Sequence, residues 1–75
     1  MNAKSRIKIG QLLERLEEIK GEVEELQSDE DQKYGNLPDA LQQGQMGEAM
    51  EMAASTLADA GESLDAAISS LYEIQ

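Results

Sequence analysis

The residues of this chain that could do chemistry are its carboxylates. There are sixteen Asp and Glu against six Lys and Arg in 75 residues, a net charge of −10, with no Cys and no His. Acids three or four apart on a helix could share a proton or hold a metal ion, and each route can be tested against the sequence. Di-metal sites in helical proteins add an inward-facing His to each Glu pair, and this chain has no His to supply. Asp29-x-Asp31 opens like a calcium loop, but Lys33 and Tyr34 then stand where an oxygen ligand and Gly belong, and Ala40 stands in the twelfth place instead of Glu. Ser55, Ser63, Ser69 and Ser70 have no His or Cys partner to make a nucleophile. Met46, Met50 and Met52 lack the thiolate or imidazole that a soft-metal site would add. The sequence therefore predicts no catalytic residue, no metal and no cofactor, and turns attention to surfaces.

The elements that must position those surfaces are two heptads. From Met46 to Ile74 apolar residues return at steps of four and three: Met46, Met50, Ala53, Leu57, Ala60, Leu64, Ala67, Leu71 and Ile74. Lined up by sevens, this is a repeat of large residue, Ala and hydroxyl: Met50/Ala53/Thr56, Leu57/Ala60/Ser63, Leu64/Ala67/Ser70. An earlier heptad holds Ile9, Leu12, Leu16, Ile19, Val23 and Leu26. With Ile9 and Leu57 as a positions, Leu12 and Ala60 are d, and Leu13 and Gly61 are e. The expected fold is all-α: one antiparallel two-helix hairpin, coiled-coil-like, with helices over about residues 5 to 34 and 45 to 74 and a connection over about 35 to 44. Ser5 is the expected N-cap of the first helix, and Gly35 and Asn36 its left-handed end. Leu37 to Leu41 should form a short turn of helix around Pro38, and Gly44 should open the second long helix.

Paired through a and d, the seam would set Leu16, Ile19 and Val23 over Ala53, Ala60 and Ala67. Leu13 and Ile68 at e positions would then be left over, together with Ile7 and Tyr72 near the same open end. These four are the candidate self-association residues. A chain this short buries a small fraction of its surface and has neither disulfide nor zinc to staple it, so the expectation is a homodimer, two hairpins forming a four-helix bundle.

All six cations lie at or before Lys33, and beyond them the chain holds only carboxylates. Glu48, Glu51, Asp59, Glu62, Asp65 and Glu73 make the candidate acidic partner face. Direct binding of nucleic acid is not expected of such a surface, whereas binding a basic or DNA-binding protein is. The first reading is thus an acidic protein-protein interaction module; the second is a nucleic-acid mimic that inhibits a DNA-binding or defence enzyme. A third is a sponge for a small anionic ligand held by Lys4, Arg6 or Lys8. No apolar run reaches the ~20 residues of a membrane span, so the expected location is the cytoplasm.

Asn36-Leu37-Pro38-Asp39-Ala40-Leu41-Gln42, followed by Gly47-Glu48-Ala49-Met50-Glu51 and the Leu-x-x-Ala heptads, resembles a group of small acidic proteins of bacteriophages and prophages. Their pattern is N-L-P-x-x-L-Q, a Ser, two variable residues and G-E-x-M-E, and Gly44 replaces that Ser here. The resemblance implies a helical hairpin and a phage or prophage origin, and brings no activity with it.

Overall fold

Helix α1 runs from Ala3 to Gly35 in the computed structural model, which describes residues 1–75; a single turn, α2, spans Asp39–Gln42, and α3 spans Gln45–Ile74. The two long helices pack antiparallel into a rod of 58 × 14 × 12 Å.

Each helix end has a local cause. Asn2, and not Ser5, caps α1: its side-chain oxygen accepts from the Ser5 backbone N–H at 2.8 Å, so the helix starts three residues earlier than the Ser5 cap implies. The far end departs from expectation too. No residue has positive φ, and Asn36 sits in right-handed geometry at φ −88°. The carbonyls freed there are met another way. The Gln42 side-chain amide donates to the carbonyls of Tyr34 and Leu37 at 3.0 and 3.1 Å, and the Leu37 N–H also donates to Tyr34. Pro38 stands just ahead of α2, where a missing N–H costs nothing. Gly44, extended at φ −92° and ψ −172°, is the N-cap of α3.

At Gly47 the connection folds back onto α3. A Cβ there would overlap the Gln42 carbonyl and lie 2.7 Å from Gln42 Cα, so only glycine admits this close approach. Gly47 is buried in consequence.

The hairpin closes through a and e positions, which corrects the expected a and d seam. On α1 the most regular row of shielded residues is Ile9, Leu13, Leu16, Lys20, Val23, Gln27, Glu30 and Tyr34; on α3 it is Gly47, Met50, Ala54, Leu57, Gly61, Leu64, Ile68 and Leu71. Both series advance strictly by threes and fours. The e positions at the open end hold Leu13 and Ile68, the two large apolar residues of that row, and further along α3 offers Gly47, Ala54 and Gly61. Opposite them α1 places the long Lys20, Gln27 and Tyr34 side chains, of which Lys20 reaches Asp65 across the seam.

The core is correspondingly small. Ile9, Leu13 and Ile68 are the only buried apolar residues, backed by Leu16 and Leu71. Leu13 and Ile68, 3% and 8% exposed, are therefore not a stripe left over for a second copy but the centre of the hairpin's own packing.

Candidate interaction surfaces

Seen end on, the hairpin has two unlike broad faces. A helix turns 100° per residue, so from a seam centred between a and e, d positions point to one side and b positions to the other. The helices run antiparallel and are thus mirror-related across the seam, which puts both d rows on one face and both b rows on the opposite face.

The b face is acidic and carries the polar links between helices. Glu17, Glu24 and Asp31 lie along it on α1, Glu51 and Asp65 on α3. Lys20, reaching out of the seam, pairs with Asp65 at 2.6 Å and with Glu24 at 3.7 Å. Its pKa is raised, first by the hydrogen bond to Asp65 and then by the charge of that carboxylate. Tyr72 donates its hydroxyl to Glu17 at 3.0 Å, and this bond, helped by the Glu17 charge, raises the phenol above its ordinary value. The Tyr34 phenol is raised too, first by the nearby Glu51 carboxylate and then by burial.

Two shallow grooves open between the helices on this face. One is lined by Gln27, Asp31, Tyr34, Glu51 and Ala58, the other by Gly10, Leu13, Glu17, Tyr72 and Gln75. Each holds one tyrosine and two carboxylates, Asp31 and Glu51 in the first and Glu14 and Glu17 in the second. No cluster of three or more acids is placed to hold a metal ion.

The six carboxylates Glu48, Glu51, Asp59, Glu62, Asp65 and Glu73 all fall at b, c or f, away from the seam and away from the d face. They do not act alike. Asp65 is paired with Lys20, whereas Glu48, Glu51, Asp59, Glu62 and Glu73 have no ion pair within the hairpin. Lys4, Arg6 and Lys8 are exposed along the start of α1.

The d face is apolar except for Lys33 near the turn. Ile19 is 44% exposed, Leu26 54%, Met46 54% and Ile74 50%. Ala60 and Ala67 are exposed among them, and Leu12 and Ala53 are half-buried. Of the candidate self-association residues, Ile7 and Tyr72 are exposed, but neither belongs to this face: Tyr72 is on the acidic side and Ile7 at an f position beside its groove. The signal for the d face was present in the heptads, and reading a and d as the hairpin's own seam hid it.

No helix is long and apolar enough to cross a membrane. Comparison with protein-family models, with curated proteins and with solved structures finds no match to this chain.

Proposed function

We propose that this protein is a non-catalytic interaction module, an accessory protein of a phage or prophage, in which paired hairpins form a four-helix bundle whose outer acidic faces receive a basic partner protein. The observation that carries this reading is the segregation of side chains. Every carboxylate of α3 sits at b, c or f, and the remaining positions of that helix are apolar, small or uncharged over its whole length. Acids placed only for solubility would not need to leave one face of a 30-residue helix empty.

Tyr34 with Glu51 and Tyr72 with Glu17 give each groove an aromatic ring beside a carboxylate. That combination suits an arginine, whose guanidinium stacks on the ring and bonds the acid. The test is capture from a nuclease-treated lysate on the tagged protein, eluted in rising salt. A basic protein released at moderate salt supports the reading, and capture lost on substituting Glu17 and Glu51 by Gln places it in the grooves. Nothing retained at low salt counts against it.

The second reading, a nucleic-acid mimic, is favoured by the spacing of the acids. Glu48 with Glu51, Asp59 with Glu62 and Glu62 with Asp65 are three residues apart, which puts their Cβ atoms about 5 to 6 Å from one another. Such rows resemble phosphates along a strand. Under this reading duplex DNA displaces the captured protein; under the first it does not.

A further inference from the structure

We infer that the d face is the seat of a second copy of this chain, and that the two hairpins lie on it with their turns at opposite ends, α1 against the partner's α1 and α3 against the partner's α3. This rests on the proposed pairing of hairpins and adds where and how it occurs.

The free hairpin exposes too much. Its accessible surface is 5534 Å² for 8.2 kDa, while a compact monomer of that mass exposes about 4500 Å². The excess, about 1000 Å², matches the ~800 Å² that each partner contributes to a standard interface. The radius of gyration agrees: 17.1 Å against about 11 Å for a compact domain of this length.

The repeat in α3 says which face is covered. Its large residue is the a position, used in the hairpin; its Ala and hydroxyl are d and g, and the hairpin leaves Ala60, Ala67, Thr56, Ser63 and Ser70 exposed. A periodic row of small uncharged residues is what lets two helices of this kind approach, and Leu12, Ile19, Leu26, Met46 and Ile74 on the same face supply the apolar contacts that small residues alone would not.

Charge on α1 fixes the orientation. The g positions beside Leu12, Ile19 and Leu26 read Lys8, Arg15, Glu22 and Asp29, two cations and then two anions. Set antiparallel on itself about a twofold axis near Ile19, this row is self-complementary: Arg15 meets Glu22 of the partner subunit and Lys8 meets Asp29 of the partner subunit. With the turns at the same end, α1 would instead adjoin the partner's α3, whose g positions hold Ala49, Thr56, Ser63 and Ser70 and answer none of these charges.

The chain has no cysteine, so single cysteines report the geometry cleanly. In the inferred dimer the two copies of residue 12 lie about 20 Å apart along the axis, while residue 12 of one copy and residue 26 of the other lie within about 2 Å of the same height. A disulfide needs Cα atoms within about 7 Å. Ile19→Cys should therefore link to itself on oxidation, and Leu12→Cys should link to Leu26→Cys in a mixture, with neither linking alone. Arg15→Glu should raise the dimer dissociation constant roughly tenfold, and Arg15→Glu combined with Glu22→Arg should restore it. Sedimentation of the unmodified chain separates the two levels of the claim. A monomer, whether free or taken up by a lipid surface or another protein, overturns both the pairing and its geometry. A dimer in which Leu12→Cys links to Ile74→Cys and not to Leu26→Cys keeps the pairing and overturns the antiparallel arrangement.

Discussion

Gly47 and Gln42 hold the closed end of the hairpin. The Gln42 amide donates to the Tyr34 carbonyl at the end of α1 and to the Leu37 carbonyl in the connection, and its own backbone occupies the space that a Cβ on Gly47 would need. Overlap with backbone cannot be relieved by a rotamer change, so Gly47→Ala should cost about 1 to 3 kcal/mol or more. Gly21 provides the contrast. Nothing lies within 4 Å of a Cβ placed there, in the middle of α1. Gly21→Ala should therefore stabilise the protein by about 1 kcal/mol, the ordinary helix propensity difference. Thermal unfolding of the two variants should move the midpoint in opposite directions from the parent; equal and opposite behaviour to this would mean the turn is not packed as described. The motif from Asn36 to Gln42 was readable as a turn, since Pro38 cannot continue a helix, but the tasks of Gln42 and Gly47 were not. A side chain reaching back eight residues to a carbonyl leaves no periodic trace in a sequence.

At the scale of the element, one helix carries an apolar surface wider than one partner can cover. Helix α3 is apolar or small at a, d, e and g, and α1 shields chiefly a and e. The number, length and antiparallel order of the helices were legible because threes and fours persist through both segments. The choice between a with d and a with e was not, because the same row of Leu at a serves either seam. In the structure the e row lies in the seam, with Leu13 and Ile68 buried there and polar groups linked across it, Lys20 to Asp65 and Tyr72 to Glu17. Leu13→Ala, which expectation would have placed at an outer stripe, should cost about 2 to 5 kcal/mol in a core of three residues. Those polar groups also predict a response to pH. Lys20, Tyr34 and Tyr72 all hold their protons more tightly in the hairpin than in the unfolded chain. Their contribution is thus fully present below their unfolded values, near pH 10, and is lost as pH rises through the raised folded ones. The melting temperature should fall above that pH, and less steeply in Tyr72→Phe, which has no phenol to ionise beside Glu17.

The whole molecule sets an apolar face against an acidic one, and salt acts on the two with opposite signs. Three ion pairs, Lys20 with Asp65 and Glu24 and Lys33 with Glu30, gain from low salt. Against them stands a net charge of −10 on a rod only 14 Å across its second axis. Many of the like charges then lie within two screening lengths of one another, since that length is about 10 Å at 0.1 M salt. Repulsion among the acids should therefore prevail over the few attractive pairs, and raising salt from 50 to about 500 mM should raise the melting temperature by a few degrees. The proposed docking of two apolar faces would add a second dependence, because a folded dimer is favoured by mass action and its midpoint would rise with protein concentration. Binding of a basic partner to the acidic faces would weaken over the same range of salt in which the fold strengthens. Calorimetry across salt and protein concentration, beside capture of the partner across the same salt series, checks all three trends together. A melting temperature that fell with salt would show that attractive pairs, and not the excess of carboxylates, govern the electrostatics of this chain.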